Sequence, residues 1–161
     1  MMEIDPRRVS AAWTPLILLA TVCLLVGFLI GAPIYRRGKL EASLVQAARM
    51  YQIGYASHIA LSEFTDFEWT EVHIFAPYTA IETVERETGT AWPRLASESI
   101  EKSDAITLLV FLDGNRLTRW VEMDRNIADY SDVAAESPYT PETAVFIMPV
   151  EGEAGIVVLQ K

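Results

Sequence analysis

Apolar and polar positions divide the chain into three patterns. Val9 to Tyr35 is a run of 27 residues without a charge, and Leu16–Ile30 within it is nearly all aliphatic. About 20 apolar residues, each rising 1.5 Å, carry a helix across the hydrocarbon of a bilayer, so this run is long enough. Trp13 and Tyr35 flank it, where aromatic rings favour the headgroup layer. A core helix of so small a domain would keep a polar face, and this segment has none. It predicts a transmembrane helix.

The second pattern has a helical period. Leu40, Leu44, Ala47/Ala48, Tyr51 and Tyr55 recur at spacings of three and four, until Gly54 and Ser57-His58 loosen the pattern. The third is β-like. Residues 67–75 alternate, with Phe67, Trp69, Glu71, His73 and Phe75 on one face and Val72 and Ile74 on the other, and Pro77 ends the run. Thr79-Ala80-Ile81-Glu82 reads as a capping box opening a short helix with Ile81 and Val84 inward, and Gly89 stops it. Ile106–Leu112 and Leu117–Met123 flank the tight-turn signal Asp113-Gly114-Asn115. Thr143–Val150 and Ile156–Leu159 form a second pair around residues 151–155. The order predicts an α+β fold: one N-terminal transmembrane helix, then a small domain with an antiparallel sheet and helices on one face. Its parts are a short tail (1–8), an anchor (9–35), a juxtamembrane amphipathic helix (36–56) and an acidic domain (57–161).

A cleaved leader fits the apolar run poorly. At Gly31-Ala32 the next residue is Pro33, and Ile30 stands where a small side chain is required. Cys23 follows Ala20-Thr21-Val22 and lies in mid-span, which does not suit a lipid-modified cysteine. The helix therefore reads as a retained anchor.

Charge then changes the picture. Residues 41–161 hold 20 acidic and 8 basic side chains, a net of −12, while Arg7, Arg8, Arg36, Arg37 and Lys39 hug the apolar run. An acidic domain of this kind excludes nucleic acid as a partner. The short N-terminus and signal-anchor layout point the domain out of the cytoplasm. The Arg36-Arg37-Gly38-Lys39 cluster pulls the other way, because it suits an anionic cytoplasmic leaflet. One cysteine excludes an intrachain disulfide.

Trp69-Thr70-Glu71-Val72-His73-Ile74-Phe75-Ala76-Pro77-Tyr78-Thr79 resembles a recurring signature of small, N-terminally membrane-anchored bacterial envelope proteins and lipoproteins. Leu109-Val110-Phe111 with Asp113-Gly114-Asn115, and Asp129-Tyr130-Ser131, are similar to that group too, although it more often has phenylalanine where Tyr130 stands. The resemblance implies an envelope protein and no particular activity.

Chemistry is sparse. Glu71 and His73, two apart on one strand face, come within reach of a shared proton or metal, and Glu63, Asp66 and Glu68 precede them. Spacing supplies no third partner, so no catalytic residue, metal or cofactor is assigned. His58 is isolated, and Cys23 lies in an apolar setting that does not favour a thiolate. Gly27 and Gly31, with Cys23 one turn earlier, form a small-xxx-small face that lets two membrane helices approach closely, which points to a homodimer. Two function classes remain. One is a non-catalytic binding or accessory module, partnered by the lipid bilayer and an envelope protein, whose contact surface draws on Trp69, Tyr78, Trp92 and Trp120. The alternative is an anchored hydrolase or metal-dependent enzyme built on Glu71 and His73. A polar pocket joining His73 to further titratable groups would favour the enzyme, and an exposed apolar patch the module.

Overall fold

The structure, a computed structural model, describes residues 19–23, 38–52, 54, 57–92, 99–147 and 158–159. The chain divides into two compact units, Met1–Arg36 and Arg37–Lys161. In the first, residues 19–23 are helical, with Leu19 66% and Val22 50% exposed. The tail 1–8, the remainder of the expected span, and Gly27 and Gly31 lie outside the described residues. Among the described residues no helix is long and apolar enough to cross a membrane.

The second unit is α+β. Helix α1 occupies residues 38–52 and buries the stripe Leu40, Leu44, Ala47 and Ala48, with Tyr51 packed against the same core. It closes at Gly54, whose φ of 79° is open to a residue without Cβ and whose N–H donates to the Tyr51 carbonyl at 2.9 Å. The chain continues through β1 (Ile59–Ala60), a 3-10 turn (Leu61–Glu63), β2 (Glu71–Phe75), α2 (Ile81–Thr88) and α3 (Ser99–Lys102). Strands β3 (Ile106–Asp113) and β4 (Arg116–Asp124), a 3-10 turn (Ser131–Glu136), and strands β5 (Val145–Ile147) and β6 (Val158–Leu159) complete it.

Two antiparallel sheets result, in strand orders β2-β3-β4 and β1-β5-β6. In the first, Val72 lies opposite Phe111, His73 opposite Val110, and Val110 in turn opposite Trp120. Tyr139 bridges to Val72 on the other side of β2, the two exchanging hydrogen bonds of 2.8 and 2.9 Å. The β3–β4 hairpin turns at Gly114-Asn115, and β5 and β6 pair antiparallel, as expected of the second pair.

Both faces of the larger sheet are covered. Val72, Ile74, Leu109, Phe111, Val121 and Met123 share one core with α1, with Ile59 and Phe146 of the smaller sheet, and with Tyr130 and Tyr139. Phe75, Leu108, Val110 and Leu112 share another with Val84 of α2 and Ile100 of α3. The expectation of helices on one face is thereby corrected. Strand β3 is apolar almost without interruption, and a strand with no polar side must be shielded on both.

Two local expectations also change. The strand begins at Glu71, and Phe67 and Trp69 fall on the opposite face from His73. Both rings pack edge-to-face on Phe111, at 5.4 and 5.2 Å. The alternation breaks at Thr70, whose N–H donates to the Leu112 carbonyl and whose hydroxyl accepts from the Gly114 N–H at 2.8 Å. The capping box does not form. The Thr79 hydroxyl donates to the Ala76 carbonyl at 2.6 Å, Ala80 takes the N-cap position, and the Ile81 N–H is satisfied by Glu101 from α3 at 2.8 Å. Gly89 does end the helix, with a left-handed φ of 64°.

Candidate functional site

The four aromatics expected at a contact surface separate into three environments. Trp69 is 7% exposed, its indole N–H donates to the Thr65 hydroxyl at 3.0 Å, and its ring belongs to the core. Trp92 and Trp120 are half-buried and tilted against each other at 5.6 Å, packed on the core beneath α2 and α3. The Trp92 backbone N–H donates to Glu85 at 2.7 Å, which ties the chain after α2 back to that helix. Tyr78 alone of the four is presented to solvent, at 63% exposure.

Its backbone is unusual. Residues 76–79 make a turn in which the Thr79 N–H donates to the Ala76 carbonyl at 3.3 Å. Pro77 holds the second position, and Tyr78, the third, has a φ of 64°. Proline followed by positive φ is type II turn geometry, and glycine or asparagine is the usual occupant of the third position. A tyrosine there carries a Cβ in the left-handed region, at about 1 kcal/mol or more. The turn is fixed from outside as well, because the Tyr78 N–H donates to the Ile100 carbonyl at 2.7 Å. The sequence thus holds a phenol outward on a rigid, strained turn beside α3.

Glu71 and His73 meet as their spacing implies. His73 Nε2 lies 3.3 Å from Glu71 Oε1, the imidazole is 6% exposed, and it stacks on Phe75 with centroids 6.2 Å apart. Opposite His73 stands Val110. Among the described residues no group of three or more His, Cys, Asp and Glu side chains could hold a metal ion. Asp66, which precedes the pair in sequence, is bonded to Lys39 at the start of α1, and that hydrogen bond holds its carboxyl below the usual range. His58 is exposed, with the Ser57 hydroxyl 3.1 Å from its Nδ1. Cys23 is exposed within residues 19–23.

A polar cluster that pattern reading did not resolve surrounds Asp129. Burial raises its pKa, but hydrogen bonds from Arg125 and from the Ser131 hydroxyl and N–H outweigh it, and the carboxyl sits below the usual range. Arg125 donates from Nε at 2.7 Å and from Nη2 at 2.6 Å, and Ser131 donates to the other oxygen at 2.9 and 2.6 Å. The signal was the i,i+4 Arg–Asp spacing with a serine two residues on. This cluster fixes the loop that inserts the fully buried Tyr130 into the core. No family model, no curated protein and no solved structure matches this chain.

Proposed function

We propose that the chain is a single-pass, membrane-anchored, non-catalytic binding or accessory module of a bacterial envelope, with its acidic domain outside the cytoplasm. The observation that carries the binding reading is Tyr78, an aromatic ring held out to solvent at a backbone angle that disfavours it. Strain that the fold sustains at an exposed position belongs at a working surface. The anchor is supported by the uncharged run and by the bare aliphatic side chains of helical residues 19–23. The signature that resembles anchored envelope proteins contains this same turn, Phe75-Ala76-Pro77-Tyr78.

The test is photocrosslinking in intact membranes from a benzophenone amino acid placed at position 78. A specific adduct that is absent when the same group is placed at exposed Glu87 supports the module, and identical capture from both positions refutes the Tyr78 surface. The second reading, a hydrolase or metal enzyme, has one observation in its favour, the 3.3 Å contact of His73 with Glu71. Stoichiometric metal in the purified chain that disappears in His73→Ala would establish it over the module.

A further inference from the structure

We infer that the Tyr78 turn docks an arginine-bearing segment of a partner protein, the guanidinium stacking on the ring while neighbouring carboxylates take its N–H groups. The inference rests on the reading of Tyr78 as a contact residue and adds the chemistry of what meets it. Among the described residues of the second unit, Met50 at 37% and Tyr78 at 63% are the large apolar side chains left exposed. Three carboxylates come from separate elements toward the turn that carries the ring. Glu82 is exposed in the first turn of α2, four residues on. Glu101 accepts from the Ile81 N–H at 2.8 Å, and the Tyr78 N–H is bonded to the Ile100 carbonyl just before it. The chain before Tyr139 runs antiparallel to β2: Tyr139 pairs with Val72, and the Ser137 hydroxyl donates to the Ile74 carbonyl at 3.3 Å. Exposed Glu136 is thereby brought level with Phe75, where the turn begins. Against these three, α3 supplies one ammonium, Lys102.

An aromatic face attracts a cation through its quadrupole, and a guanidinium lies flat on it while its N–H edge stays open to carboxylates. Lysine, a compact and strongly hydrated charge, fits such a site less well. The net charge of −12 over residues 41–161 draws a basic segment in from a distance and repels an acidic one. A small free cation is the poorer occupant, because a ring held out to solvent encloses no ligand.

The test is fluorescence anisotropy of a labelled hexaarginine peptide titrated with the full chain in phosphatidylcholine nanodiscs, at about 50 mM salt, where screening is weak. Tyr78→Phe, which keeps the ring, should bind as the unaltered chain does, and Tyr78→Leu should weaken binding about two- to fivefold. Glu82→Gln combined with Glu136→Gln should weaken it at least about twofold. The equally charged combination of Glu41→Gln and Glu142→Gln, at exposed positions elsewhere, should weaken it less. Undiminished binding by Tyr78→Leu, or equal weakening by the two charge combinations, overturns the inference. Hexalysine binding as tightly, or spermine displacing the peptide as well as unlabelled hexaarginine does, also overturns it. A specific photoadduct from position 78 without any peptide binding overturns the inference and leaves the contact surface standing. Loss of both removes the surface itself.

Discussion

Replacing Tyr78 by alanine and by glycine separates the ring from the backbone angle that presents it. At 63% exposure about a third of the side chain is covered, roughly 70 Å² of a tyrosine that would bury about 200 Å² when enclosed. At about 25 cal/mol per Å² the lost cover amounts to about 1.8 kcal/mol, and alanine and glycine lose nearly the same amount. They differ at φ 64°, where alanine keeps the Cβ penalty of about 1–2 kcal/mol and glycine does not. Glycine gives back about 0.4–1 kcal/mol through the greater freedom of its unfolded chain. Tyr78→Gly should therefore be the more stable of the two, by about 1 kcal/mol. At an ordinary position the order is reversed by about 0.5–1 kcal/mol. Urea denaturation followed by tryptophan fluorescence measures both variants, and the slopes should agree. Tyr78→Ala equal to or more stable than Tyr78→Gly would show that the turn is not strained, and would remove the argument for a working surface there.

Three further outcomes follow from the packing. Leu44→Ala, at a fully buried position joining α1 to the sheet, should cost about 2–5 kcal/mol in the same denaturation assay, and a loss under 1 kcal/mol would mean that α1 is not part of the core. Tyr130→Phe should leave stability unchanged or raise it by up to about 1–3 kcal/mol, because the buried hydroxyl has no hydrogen-bond partner among the described residues; a clear loss would reveal one. Burial, with the nearby charge of Glu136, pushes the Tyr139 phenol up to about 12, and burial pushes Tyr130 up further still. Both folded-state values exceed the unfolded value near 10, so their contribution is fully present below about pH 10 and is lost as pH rises through the folded values. Stability measured at pH 8, 10 and 11.5 should fall over the last interval, and Tyr139→Phe should fall less.

The local patterns were legible where one physical requirement dominated. Alternation, β-branching and Gly114-Asn115 located the β3–β4 hairpin, and the three–four spacing from Leu40 to Tyr51 located α1. Less legible was which core each element joins. An amphipathic stripe records that a helix buries one side and says nothing about against what. The apolar run of β3 held the answer to the two-faced sheet, because a strand with no polar side needs cover twice. The strand ending at Phe75 is shorter than the alternation over residues 67–75 predicts, for a related reason. Phe67 and Trp69 keep the right parity, but Thr70, bonded to both Leu112 and Gly114, breaks the period between Trp69 and Glu71. A short 3-10 turn such as Ser131–Glu136 and a two-residue strand such as β1 carry too few residues to show a period at all.

The candidate site shows the same division between identity and environment. Composition marks Trp69, Tyr78, Trp92 and Trp120 alike, as large rings able to serve a core or a surface. Their burial is decided by partners far away in sequence: Phe111 encloses Trp69, and Trp120 meets Trp92 across the fold. Only at Tyr78 does the local sequence carry a hint, since Pro77 sets the second position of a turn whose third position disfavours a side chain with a Cβ. His73 and Glu71 were legible as a pair because two residues apart on a strand is a fixed geometry. What the pair could do was not, because that depends on the groups brought to the same face by β3. The residue that β3 places opposite His73 is Val110, an aliphatic side chain that can neither bind a metal nor take a proton. Among the described residues the imidazole has one carboxylate and a stacked phenylalanine beside it, an arrangement that orients it within the sheet.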